Sequence, residues 1–190
     1  MNPPSTRRTD HGTPAGRRQR GATLIEAAVS TVIVAIVAGI AAPGFEQARE
    51  RRHLEGVAAQ LKTDLQLARA TAVARNAGLR VSFEAAVDGS TCYVVHSGAV
   101  GDCVCAADGS AVCRADAEAL RSVRFAASLP VRVVSNSRSI VFDPVKGTTT
   151  PTATMRVQGR SGAAIHQIVN VMGRVRSCSP APALPGYRSC

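Results

Sequence analysis

Residues 27–45 form a run of 19 positions without one charged side chain, and any fold of this chain must accommodate it. At 1.5 Å per helical residue the run is ~28 Å long, close to the ~30 Å of hydrocarbon in a bilayer. Residues 1–21 are polar and carry Arg7, Arg8, Arg17, Arg18 and Arg20 against Asp10 alone. Arginines ahead of an apolar span place the N-terminus in the cytoplasm and the rest of the chain beyond the membrane. An ordinary secretory signal has an apolar region of about 7–15 residues and then a polar cleavage region. This run is longer and has no such flank before the next helical stretch, so a retained membrane helix is expected.

Glu26 sits inside the apolar block, four residues past Ala22. A carboxylate costs about 2.5–3.5 kcal/mol at a bilayer centre, so it either snorkels to the interface or finds a partner. The stretch Gly21-Ala22-Thr23-Leu24-Ile25-Glu26, with its basic leader, resembles the prepilin peptidase site of type IV pilins and type II secretion pseudopilins. Pro43, 22 positions after Gly21, is a second match, while Ala22 stands where the family usually has Phe. The resemblance implies cleavage after Gly21 by the prepilin peptidase and N-methylation of Ala22. It also implies an assembly role for Glu26, facing the N-terminal amine of a neighbouring subunit, and for Pro43, which weakens the helix. Cleavage would remove five Arg and one Asp, leaving a mature chain of 169 residues at +6.

Beyond the span, Leu54, Val57, Ala58, Leu61, Leu65, Ala68 and Ala72 recur at helical spacing, with Arg49, Arg52, Lys62, Arg69 and Arg75 mostly flanking them. Asn76-Ala77-Gly78 is a helix stop, because Asn and Gly tolerate the left-handed conformation. The period then changes to two: Leu79, Val81 and Phe83 alternate with Arg80, Ser82 and Glu84. Further strands are expected at 91–97, 122–125, 131–134, 139–142, 154–158, 165–171 and 174–178, with Pro, Gly, Asn and Ser between them. The expected fold class is α+β, one long helix packed on an antiparallel sheet domain, the arrangement in which helix and sheet each bury one face.

The segment 61–76, SIVFDPVKG at 139–147 and the late VNVMGRVRSC resemble the GspH/FimT family of minor pilins and pseudopilins over most of 21–178. The type IV pilin fold follows from that resemblance. The expected organisation is a cleaved leader at 1–21, a transmembrane helical half at 22–45, an amphipathic half at 46–78 and a β-rich domain at 79–190.

All six cysteines, Cys92, Cys103, Cys105, Cys113, Cys178 and Cys190, follow the span and face an oxidising periplasm, where an even count favours disulfides. Six cysteines allow 15 connectivities. The expected pairing is Cys178 with Cys190, the other four tying together the loop from Cys92 to Cys113. Zinc is the rival, but Cys103-Val104-Cys105 is C-x-C and the nearest histidine is His96. His11, His53, His96 and His166 lack ligand spacing, and no nucleophile triad or phosphate-binding glycine loop is present. No enzyme activity, metal or cofactor is expected.

The chain carries 23 Lys plus Arg against 13 Asp plus Glu, a net +10 that favours polyanionic partners. Aromatic residues are only 3% of the chain, too few to make base stacking the main contact. In Gly173-Arg174-Val175-Arg176 the two arginines would share one face of a strand about 6.6 Å apart, with Gly173 turning the chain and Arg174 exposed at a hairpin tip. Solvated arginines are common on any antiparallel sheet. The element nevertheless resembles the G-R-x-R element of FimT-like minor pilins, which is associated with DNA capture in natural transformation. That resemblance implies double-stranded DNA as a partner, gripped by Gly173, Arg174 and Arg176, with Arg156, Arg160 and Arg188 as extensions of the patch.

The leading expectation is a minor type IV pilin of the inner membrane and pilus that aids assembly and binds extracellular DNA. Its partners would be other pilins, the prepilin peptidase and the inner membrane before assembly. A purely structural subunit of a pilus or a type II secretion pseudopilus is the alternative, and a single-pass protein with an ordinary uncleaved anchor is a third class.

Overall fold

The computed structural model of the protein describes residues 23–114 and 116–190. Gly21 and Ala22 lie outside the described residues. The chain divides into two compact units, Met1–Ala42 and Pro43–Cys190.

Helix α1, Leu24–Arg75, runs for 52 residues. Thr23 caps its start: the Glu26 backbone N–H donates to Thr23 Oγ1 at 3.3 Å. Thr23 and Glu26 have the T-x-x-E spacing of a capping box, in which an acidic residue three places into the helix also suits the positive end of the helix dipole. In the first unit, Val29, Val32, Ile33, Val37 and Ile40 are all more than half exposed, as a span covered by lipid requires. The helix continues through Pro43.

At the other end, Asn76 adopts φ 48°. Its N–H donates to the Val73 carbonyl at 3.3 Å, and the Ala77 N–H to the Ala72 carbonyl at 3.1 Å. These are the two bonds of a Schellman motif, so the helix ends where its sequence supplies a residue that tolerates the left-handed region.

Eleven strands are present among the described residues. β1 (Leu79–Ala85), β2 (Thr91–His96), β5 (Ala119–Phe125), β7 (Ser139–Phe142) and β8 (Thr149–Thr150) form one antiparallel sheet in the order β5-β2-β1-β7-β8. A second sheet, ordered β11-β10-β9-β6, contains β6 (Val131–Ser135), β9 (Ala153–Gly159), β10 (Ala164–Val169) and β11 (Val175–Cys178). β3 (Cys103–Cys105) and β4 (Ala111–Cys113) pair as a separate ribbon.

Leu54, Ala58, Leu61, Leu65, Ala68 and Ala72 are buried as the helical spacing predicts, and Val57 is half-buried. They share one core with Val81, Tyr93 and Ile140 of the first sheet and Met155, Val157 and Ile165 of the second. Each such leucine removes enough apolar surface from water to contribute about 1.5–3 kcal/mol. Asp64 interrupts the stripe and is buried at 4% exposure. It accepts the Tyr93 hydroxyl at 2.6 Å and Arg121 Nε–H at 3.2 Å. Burial first, and then the Asp64 carboxylate, raises the Tyr93 hydroxyl well above the usual phenol range.

Three disulfides close the chain: Cys92–Cys105, Cys103–Cys113 and Cys178–Cys190. The second joins directly opposed residues of β3 and β4. Both three-residue strands and β8 were absent from the sequence reading, being too short to show a period of two. Two expected strands are corrected. β10 stops at Val169 instead of 171, and β11 begins at Val175, so Arg174 is not a strand residue.

Candidate functional site

The turn between β10 and β11 is set by Asn170. Its carbonyl accepts the Gly173 N–H at 2.8 Å, its N–H donates to the Arg174 carbonyl at 3.2 Å, and its Oδ1 accepts the Arg174 N–H at 2.9 Å. Asn170 and Arg174 thereby close a three-residue loop, 171–173, whose last member needs a left-handed conformation. Gly173 supplies it with φ 70°. Val171 and Met172 occupy the tip and are 57% and 55% exposed. Arg174 therefore stands at the base of the loop, not at its tip, although both Arg174 and Arg176 are exposed. Arg174 and Arg176 still share one face, because Val175 between them pairs with the buried Val169 and packs on the core, although only Arg176 lies within β11.

Gly173 is required for a second reason. A side chain there would run into the Gly147 carbonyl oxygen and the Arg69 side chain. Arg69, from α1, donates Nε–H to that same Gly147 carbonyl at 2.9 Å. The β7–β8 turn is further tied to the hairpin by the Thr149 N–H, which donates to the Val171 carbonyl at 2.9 Å. Gly147 itself has φ 61°, and a Cβ on it would crowd Arg69 and Val73.

An open groove results, lined by Gln66, Arg69, Ala70, Val73 and Ala74 of α1, Val145 and Lys146 of the turn, and Gly173, Arg174, Val175 and Arg176 of the hairpin. None of these residues is acidic. Among the described residues, no ion pair involves Arg69, Lys146, Arg174 or Arg176. Lys146, Arg174 and Arg176 are thus exposed and Arg69 half-buried, none with an ion-pair partner among the described residues.

Strand register locates the other arginines. Arg156, His166 and Cys178 stand side by side across β9, β10 and β11, and Ile168 pairs with Arg176 two residues along. Met155, Val157, Ile165 and Val169 alternate with them and are buried, so Arg156 and Arg176 share the outer face of the sheet. Two strand spacings and a two-residue offset separate their Cα atoms by about 12 Å. Arg132, opposite Gln158, lies on this face as well. Burial first, and the Arg156 charge second, lowers the pKa of His166. Its Nδ1 is 3.6 Å from the disulfide sulfur of Cys190.

Arg188 and Arg176 line a common hollow beside the Cys178–Cys190 disulfide. Arg160 is not brought to the hairpin. It lies in the β9–β10 turn, at the opposite end of the sheet, where it donates to the Ser128 carbonyl at 2.7 Å. Arg69, Lys146 and Arg132 were missed as site candidates in the sequence. For Lys146 the signal existed, since it sits in the family-like segment SIVFDPVKG. For the other two only the tertiary arrangement reveals the placement.

His96 is buried, bonded to Ser82 Oγ at 2.8 Å through Nε2 and to the Ser97 carbonyl at 2.7 Å through Nδ1. A ring with its proton on Nδ1 satisfies both contacts, which makes it a core residue.

Residues 57–173 match the family model described as type II transport protein GspH, and residues 16–42 match the prokaryotic N-terminal methylation motif. The second range contains Gly21, Ala22 and Glu26. No curated protein gives a match. Among solved structures, the chain is similar to the Pseudomonas aeruginosa (strain PAO1) type IV minor pilin FimU, with a TM-score of 0.50 and 17% identity. That similarity covers 70% of this chain and 96% of FimU. An apolar N-terminal helix, a methylation motif and a helix-on-sheet domain with this fold together make the chain a member of the GspH/FimT family of minor pilins and pseudopilins.

Proposed function

We propose that the protein is a membrane-anchored minor type IV pilin that enters a filament and holds double-stranded DNA at the β10–β11 hairpin. The observation that carries the DNA reading is the groove lined by Arg69, Lys146, Arg174 and Arg176 without a carboxylate. Guanidinium forks suit phosphate geometry, and an exposed pair engages a backbone without burying unpaired charge. Such binding is electrostatic, weakly selective for sequence and sensitive to salt.

The N-terminal part of the reading rests on the methylation motif. The prepilin peptidase cuts after Gly21, the new amine of Ala22 is methylated, and residues 22–45 anchor the chain in the inner membrane with 46–190 in the periplasm. Glu26 then meets the N-terminal amine of a neighbouring pilin, which supplies the partner an intramembrane carboxylate needs. Pro43 weakens the helix so that it adapts to the packed filament. Arg156 and Arg188 extend the DNA contact from Arg176 across the sheet face.

A second reading is a structural subunit of a pilus or type II secretion pseudopilus. It is favoured by Val145, Val171 and Met172, which are 74%, 57% and 55% exposed beside the cations and suit a protein partner. Chromosomal Arg174→Ala/Arg176→Ala in the source cell separates the two. The DNA reading expects normal amounts of this subunit in sheared filaments but lost DNA uptake. A structural subunit would lose filaments, or lose nothing.

A further inference from the structure

The hairpin and the β7–β8 turn are not independent neighbours. A side chain on Gly173 would run into the Gly147 carbonyl oxygen and Arg69, and one on Gly147 would crowd Arg69 and Val73, so Arg69 packs against both glycines. Lys146 precedes Gly147 and Arg174 follows Gly173, so the two cationic residues flank a contact that holds their backbones together. Both line the same groove.

Lys146 is exposed, and no carboxylate among the described residues pairs with it. The nearest acid in sequence, Asp143, is occupied with the turn itself: its Oδ1 accepts the backbone N–H groups of Val145 at 3.0 Å and of Lys146 at 2.7 Å. That Asx-type closure orders the turn that carries the exposed Lys146.

We propose that Lys146 is a further phosphate contact of the DNA site, so that the site spans two turns of the fold and not the hairpin alone. This rests on the DNA reading above. A lysine ammonium is a mobile point charge and engages one phosphate, with no base preference. Each phosphate neutralised adds about 0.9 to the slope of log affinity against log salt for B-form DNA.

The test uses the full chain in a non-ionic detergent and a short mixed-sequence DNA duplex, with affinity measured over a series of salt concentrations. Lys146→Ala should lower the salt slope by about 0.9, and Arg174→Ala/Arg176→Ala by about twice that. Lys146→Arg should retain the wild-type slope. Arg114→Ala, an exposed arginine that does not line the groove, should retain it too. Thermal unfolding of each variant confirms the fold, and Lys146→Gln serves if Lys146→Ala is unstable. An unchanged slope in Lys146→Ala beside a reduced slope in the hairpin variant overturns this proposal and leaves the DNA reading standing. Absence of binding by the wild-type chain, or wild-type slopes in both variants, overturns both.

Discussion

Arg69 Nε–H donates to the Gly147 carbonyl oxygen at 2.9 Å, and through that bond the long helix holds the turn against which Gly173 packs. Replacing Arg69 by Ala removes a charge-assisted hydrogen bond in a half-buried position. A loss of about 1–2 kcal/mol is expected, at the low end for bonds to charged groups because water reaches the site. Chemical denaturation of the full chain measures it, and an unchanged midpoint would show that the bond holds nothing together.

Gly173→Ala should be worse tolerated than an ordinary surface glycine substitution. The φ of 70° costs a non-glycine residue about 1–2 kcal/mol, and the new methyl group meets the Gly147 carbonyl. Gly162, also at positive φ but with open space around it, is the comparison. Equal losses in Gly173→Ala and Gly162→Ala would mean that backbone strain is the whole cost.

Asp64 and Tyr93 form the other polar link between helix and sheet. Asp64→Ala strands the buried Tyr93 hydroxyl and leaves a space, a loss of about 2–3 kcal/mol, whereas Asp64→Asn keeps an acceptor and should cost less. In Asp64→Ala the Tyr93 hydroxyl should also ionise at lower pH than in the wild type, while burial, the larger cause, keeps it above a free tyrosine. Absorbance titration of the folded protein reads this directly.

His166 titrates below its ordinary 6.5, chiefly because it is partly buried and secondarily because Arg156 lies beside it. The unfolded chain therefore binds the proton more readily than the folded one. Its contribution to stability is complete above pH 6.5 and is lost as pH falls through the lowered folded value. NMR titration of Arg156→Gln should move the His166 midpoint upward only part of the way to 6.5. A full return would make the arginine the main cause.

The helix and core were legible in the sequence because each rests on a period or a local stop signal. The stripe from Leu54 to Ala72 and the stop at Asn76 both stand in the structure. Asp64 was not legible, since a carboxylate within an apolar stripe announces nothing until Tyr93 and Arg121 arrive from β2 and β5. The expected Cys178–Cys190 bond that closes the tail is present, while the crossed pairs within 92–113 depend on the β3–β4 ribbon. At the hairpin, Gly173 and the exposed arginines were readable, but a one-residue shift in strand ends moved Arg174 from strand to turn. Arg160 follows the β9 strand and Gly173 the β10 strand, so in consecutive antiparallel strands they fall at opposite ends of the sheet, a placement the order of the expected strands already implied. Lys146 was readable through the segment SIVFDPVKG, whereas Arg69 joins the groove through a contact 78 positions away in the chain, which no local pattern encodes.

The most direct test of a DNA-holding minor pilin is the affinity of the full chain in a non-ionic detergent for double-stranded DNA at low salt, beside the folded Arg174→Ala/Arg176→Ala variant. Binding by the wild-type chain that weakens steeply with salt and falls at least tenfold in the variant is the predicted result. Equal affinity in the two proteins, or none in either, would contradict the account and leave a subunit whose work is assembly.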